Sequence, residues 1–319
     1  MRSSKLKGRP NLELRTSHFA FIIALGLITS CATTAGRKSP IDLAVDAASQ
    51  RCRCRMGIEA RHLESGRAYS RNADAEFEAA SLVKIAILTE ALAERSEGRV
   101  DLTERWTLTD PVKADGSGTL LILDAGLNPT WNDLITLMIG PSDNTAANAW
   151  IRRLGIDNIN ARMERLGFHH IRLLTVLPAY PPAPEGPSPW DGLHFGIVTA
   201  REVGDWMTRV ARGELIDEDS SRRTFQYLDK DPTRQRIARR FPHEYLWAGK
   251  SGSMSGVRND AGILRSKKGS FVIVILTDGG SRQKAAAADH PSVLAIADVA
   301  QQIVDTWSRE LPDIVDKPK

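Results

Sequence analysis

Apolar residues along this chain fall into runs of two kinds. In residues 41–50, Ile41, Leu43, Ala44, Val45, Ala47 and Ala48 recur at helical spacing and predict a first helix. A hairpin is predicted next, from 54–62 through the turn Glu64-Ser65-Gly66 to 67–70. Residues 78–97 hold no Gly or Pro and repeat apolar positions at helical spacing, predicting a helix that carries Ser81 and Lys84. Further helices are predicted at 131–139, with Thr130 as N-cap and Pro141 as breaker, at 145–154 up to Gly155, at 156–166 up to Gly167, and at 199–213. Residues 220–240 predict two short helices rich in arginine.

The last third changes period. Residues 245–248, 261–265 and 271–277 predict strands, and Phe271-Val272-Ile273-Val274-Ile275-Leu276 is the continuous apolar run of a strand covered on both faces. Lys267-Lys268-Gly269 is the turn between two of them, and 290–307 is a closing helix. Strands near both ends with helices between predict an α/β (α+β) fold. One antiparallel sheet of about five strands, drawn from both termini and flanked by helices, receives an inserted all-helical lobe. The expected body is residues 41–319, with 41–72 and 243–319 in the sheet lobe and 73–242 in the helical lobe.

Composition changes this picture little: 319 residues, 42% hydrophobic and 26% charged, are ordinary for a globular chain. Charge changes it more. The chain has 43 basic and 39 acidic side chains, a net charge of +4. Residues 1–30 account for five of the basic groups (Arg2, Lys5, Lys7, Arg9, Arg15) and one acid, Glu13, leaving 38 of each in the body. The positive balance belongs to the leader, so no nucleic acid or other acidic partner is implied.

The leader itself, a basic stretch before the apolar run 19–28, is too short to span a bilayer and reads as an export signal. It ends in Ile28-Thr29-Ser30-Cys31. That ending resembles the lipobox of bacterial lipoproteins, which implies cleavage before Cys31, lipidation there, and a membrane anchor followed by the tether 31–40. Ala32 at the next position fits an outer-membrane destination on the periplasmic side of the envelope. Cys52 and Cys54 lie two apart. In a strand their side chains would face opposite sides, which predicts free thiols rather than a mutual disulfide. The seven histidines show no zinc-type spacing, and no metal or cofactor is expected.

Candidate chemistry centres on Ser81-Leu82-Val83-Lys84. Residues three apart on a helix share a face, so the Lys84 amine lies beside the Ser81 hydroxyl. A lysine can take a serine's proton only if burial or nearby cations depress its pKa. Ser-x-x-Lys alone is commonplace, but Ser142-Asp143-Asn144 and Lys250-Ser251-Gly252 follow it in order.

Together with Gly116-Ser117-Gly118-Thr119-Leu120 and the stretch from Gly252 to Ile263, these three motifs resemble the class A β-lactamase and penicillin-binding protein superfamily. The resemblance implies that Ser81 is the acylated nucleophile, Lys84 its proton acceptor and Ser142 the relay to the leaving nitrogen. It implies that Asn144 binds the substrate's acylamino group, and that the N–H groups of Ser81 and Ser253 form an oxyanion hole. Lys250, Ser251 and Arg258 would hold the substrate carboxylate, and Asp143 would tie its loop.

One departure stands out. Where class A β-lactamases carry Glu-x-x-Asn, the proline-rich stretch 177–189 offers only Glu185-Gly186-Pro187-Ser188. Glu185 is either the base for deacylation or an exposed loop carboxylate. The expected activity is hydrolysis of β-lactams through a Ser81 acyl-enzyme. The alternatives are a cell-wall D-alanyl peptidase or esterase, or a penicillin-binding envelope protein that acylates without turnover. The expected partners are a small β-lactam or cell-wall peptide and the membrane through Cys31, with the domain a monomer.

Overall fold

The computed structural model describes residues 38–179, 194–230, 234–281 and 288–314. Cys31 and Glu185 therefore lie outside the described residues. The first helix, α1 (Pro40–Cys52), starts at a capping box in which Ser39 and Asp42 satisfy each other's backbone N–H groups. Its hairpin is β1 (Arg55–His62) and β2 (Ala68–Arg71). Near the other end come β6 (Leu246–Met254), β7 (Val257–Ser266), β8 (Gly269–Asp278) and the closing helix α8 (Pro291–Ser308). These five strands form one antiparallel sheet in the order β2-β1-β8-β7-β6. The expected sheet, built from both termini, is present. Its strands β6, β7 and β8 are longer than the apolar runs alone suggest.

The period of two explains why β8 is apolar throughout. Phe271, Ile273 and Ile275 enter a core shared with Ile41, Val45 and Ala48 of α1 and Ile296, Val299 and Ile303 of α8. Val272, Val274 and Leu276 enter the other core, between sheet and inserted segment. That segment holds α2 (Lys84–Ser96), α3 (Trp131–Ile139), α4 (Asn144–Leu154), α5 (Ile156–Arg165), α6 (Ala200–Arg212) and α7 (Glu218–Leu228). Every residue of α2 from Lys84 to Ala93 is buried, as expected of a helix with apolar residues all round.

Two expectations need correction. The inserted segment is not purely helical: β3 (Glu76–Glu78), β5 (Gly196–Thr199) and β4 (Arg172–Leu173) form a second sheet in the order β3-β5-β4. Strands of two to four residues carry too few positions for periodicity to reveal them. Cys52 and Cys54 are joined in a disulfide, not free. They do not share a strand. Arg53, between them, is the left-handed C-cap of α1 (φ 51°), and this reversal brings the two Cα atoms to 5.2 Å. Among the described residues no helix is long and apolar enough to cross a membrane.

Candidate active site

Ser81 does not lie inside an α-helix. Ala80 adopts a left-handed φ of 47°, which ends β3 and starts a 3-10 turn over Ala80–Val83, and α2 begins at Lys84. Lys84 follows the turn as the first residue of α2, and among the described residues its amine is hydrogen-bonded to Ser142 and Asn144 rather than to the Ser81 hydroxyl. Ser81 is partly exposed, whereas Lys84 is fully buried.

Three acceptors surround the Lys84 amine. Nζ donates to the Ser142 carbonyl at 2.6 Å, the Ser142 hydroxyl at 3.1 Å and Asn144 Oδ1 at 2.8 Å. None of these is a carboxylate, and burial pushes the amine well below its usual range. Repulsion from Lys250 adds to that shift, and Asp143 partly opposes it. Lys250, from β6, reaches the same Ser142 Oγ at 3.1 Å and the Ser251 carbonyl at 3.0 Å. Ser142 Oγ thus sits between two amines, one from α2 and one from β6.

Ser142 reaches that place because its own backbone is left-handed (φ 61°) at the break between α3 and α4. Asp143 makes the break rigid, as expected. Its carboxylate caps α4 through Ala146 N–H at 2.9 Å and accepts from the N–H groups of Thr119 and Leu120 at 2.7 and 2.8 Å. Gly118 permits this contact: with φ 119°, any Cβ there would lie 2.3 Å from the Asp143 carboxyl carbon. Asn144 faces the same loop, donating through Nδ2 to the Asp115 carbonyl at 2.7 Å, and the Ser117 hydroxyl donates to the Ser142 carbonyl at 2.7 Å. The glycine-bearing loop is therefore the buttress of the second motif.

The third motif lies on β6, the outer strand of the sheet. Alternation along β6 puts Lys250 and Gly252 on the side of the Ser81 turn. At Gly252 the strand runs directly against that turn: a Cβ would lie 2.6 Å from the Ala79 carbonyl oxygen and 3.0 Å from Leu82 N. Asn259 of β7, opposite Gly252 in register, donates to the carbonyls of Glu78 and Ala79 at 2.8 and 3.1 Å. Sequence reasoning assigned Asn259 no task. The cross-strand register that places it behind Ser81 is a tertiary fact.

Arg258 is the clear correction. It pairs with Ser253 in register but is wholly buried, and its Nη1 donates at 2.6 Å to the carbonyls of Met254 and Val257, inside its own hairpin. Burial and the nearby Arg236 push its guanidinium down to about 10. A group so placed is closed off from a ligand at Ser251. Arg236, one of the arginines of 220–240 to which the sequence assigned no task, takes the outer position instead. Its Nη2 donates to Ser253 Oγ at 2.5 Å and its Nη1 to the carbonyls of Gly252 (2.8 Å) and Asn259. Among the described residues no cluster of His, Cys, Asp and Glu is arranged to hold a metal ion.

Comparison with known proteins places the chain in a family and a fold. The chain shares 28% identity with a β-lactamase from Sphaerobacter thermophilus, with a TM-score of 0.74 over 86% of this chain and 98% of that one. PBP-A is 23% identical, with a TM-score of 0.72 over 85% of this chain and 96% of its own, and so shares the fold. A β-lactamase from Chitinophaga pinensis does so too, at 16% identity and a TM-score of 0.72 over 84% of this chain and 100% of that one. No curated protein is similar enough in sequence to be matched. The family model described as the β-lactamase enzyme family matches residues 41–307, spanning all three motifs and both flanking helices, and the chain belongs to that family.

Proposed function

We propose that this protein opens β-lactams through an acyl-enzyme on Ser81. The observation that carries the reading is Ser142 Oγ, 3.1 Å from both Lys84 Nζ and Lys250 Nζ. Both acceptor sites of the hydroxyl face amines, which leaves its own proton directed away from them. Ser81 Oγ bonds to the lactam carbonyl carbon while its proton passes to the lone pair of Lys84 in its neutral form, which donates to only two of its three acceptors and which the lowered pKa favours. As the lactam C–N bond breaks, Ser142 protonates the leaving nitrogen and is reprotonated from the lysine pair. The Ser81 and Ser253 N–H groups would stabilise the oxyanion. Ser251 and Lys250 would bind the substrate carboxylate, with Arg236 rather than Arg258 supplying the guanidinium, and Asn144 would meet the acylamino group.

A second reading, acylation without efficient release, is favoured by the proline-rich stretch, where Glu185-Gly186-Pro187-Ser188 replaces Glu-x-x-Asn. Its natural target would be a cell-wall D-alanyl peptide. Export and lipid attachment at Cys31 are part of the same proposal. The leader pattern supports them, and so does the Cys52–Cys54 disulfide, a bond that persists in oxidising compartments.

Time-resolved mass spectrometry of the domain mixed with a penicillin tests the proposal. A Ser81 adduct that appears and decays with product is expected, and Ser81→Ala should prevent it. A lasting adduct would favour the second reading, and no adduct on Ser81 would refute both.

A further inference from the structure

The residues just before the nucleophile are held by a side chain that the chemistry above does not use. Glu78 ends β3 with its side chain 12% exposed. One carboxylate oxygen accepts from the N–H groups of Ala80 and Gly196, at 3.2 and 3.4 Å, and the other meets His194 Nδ1 at 2.9 Å. Around it, other elements take the neighbouring backbone groups. Asn259 binds the Glu78 and Ala79 carbonyls, and Ala79 N–H donates to the Gly196 carbonyl at 2.8 Å.

Ala80 needs such support. An alanine rarely adopts a left-handed backbone, and its relaxed alternatives would turn the next peptide, which carries the Ser81 N–H. That N–H is an oxyanion donor in the mechanism above, and such a donor acts only while its direction is fixed before reaction. On the reading of Ser81 as the acylated nucleophile, we propose that Glu78 is a positioning residue for acylation. Its carboxylate oxygen fixes the left-handed Ala80 peptide, and with it the aim of the Ser81 N–H. The working element is an acceptor oxygen at the right distance, not a negative charge.

Three variants separate these possibilities, with rates of Ser81 modification measured by intact mass using a penicillin and, independently, a fluorophosphonate. Glu78→Ala removes the acceptor and should slow modification by both reagents about 10- to 100-fold, the range expected when a catalytic donor is misdirected by up to 1 Å. Glu78→Gln keeps an acceptor oxygen and should stay within about threefold of the parent. Glu78→Asp keeps the charge but draws the oxygen back by one methylene, and should resemble Glu78→Ala. It also serves if the alanine variant fails to fold.

Parental rates in Glu78→Ala and Glu78→Asp would overturn the proposal. So would a glutamine variant as slow as the alanine one. An adduct that forms at the parental rate but is no longer released would also overturn it, making Glu78 a base for deacylation. Failure of the underlying reading is distinguishable, because the parent protein itself would then carry no label on Ser81 with either reagent.

Discussion

Gly252→Ala tests the contact on which the site's geometry rests. The added Cβ would meet the Ala79 carbonyl oxygen at 2.6 Å and Leu82 N at 3.0 Å, where ordinary contact begins at 3.4 Å. Both are backbone atoms of the Ser81 turn, so no rotamer change relieves the clash. β6 and the turn must separate by roughly 0.8 Å, the shortfall of the closer contact. Ala79 cannot yield alone, since its carbonyl is held by Asn259 and its N–H by Gly196. Overpacking of this kind costs about 1–3 kcal/mol. For a chain of this size that is a fall of a few degrees in Tm. The loss of acylation should be larger, because the oxyanion donors stand on the two parts pushed apart. A displacement near 1 Å is worth about 100-fold in rate. The assay is the second-order rate of Ser81 acylation by penicillin, measured at least 15 °C below the variant's Tm so that unfolding does not contribute. Acylation within twofold of the parent, with an unchanged Tm, would show that β6 does not bear on the turn as described.

Three other perturbations follow from the same contacts. Arg236→Ala should weaken productive binding of a carboxylate-bearing β-lactam, raising KM roughly 10-fold or more with a smaller effect on kcat, as loss of a charged hydrogen bond implies; steady-state kinetics on an ester analogue lacking the charge should show little difference. His290 caps α8, accepting from Ser292 N–H through Nδ1, and burial, aided by repulsion from Arg258 and Arg236, holds it below the ordinary 6.5. Its neutral form is the folded form, so its contribution is complete above about pH 6.5 and fades as pH falls through the lower folded value. Denaturant midpoints should therefore drop between pH 7 and 5 more for the parent than for His290→Asn, which caps without titrating. Reducing the Cys52–Cys54 bond, or replacing both residues by serine, opens only a very short loop and should lower Tm by a few degrees at most while leaving Ser81 acylation unchanged. Loss of acylation there would place the α1–β1 connection in the site.

Much of this protein can be read from its residues one after another. The capping residue Thr130 marks a helix start, Pro141 marks the break that carries Ser142, and the apolar run 271–276 shows a strand covered on both sides. These are local signals, written in propensity and period, and three motifs in fixed order name the family before any coordinate is known. What the sequence leaves open is decided by pairing across distance. Arg258 and Arg236 are both arginines near the third motif. The cross-strand register sends one into its own hairpin, and the approach of the segment before Ile237 brings the other to Ser253. Asn259 becomes a clamp on the nucleophile's turn only because β7 faces Gly252. Cys52 and Cys54 meet because a left-handed Arg53 replaces the strand assumed for them. The Lys84 amine is pushed well below its usual range by burial that no spacing rule measures. Periodicity reports which face of an element is apolar. Which side chain stands opposite which, and how much water remains between them, exists only once the elements are packed.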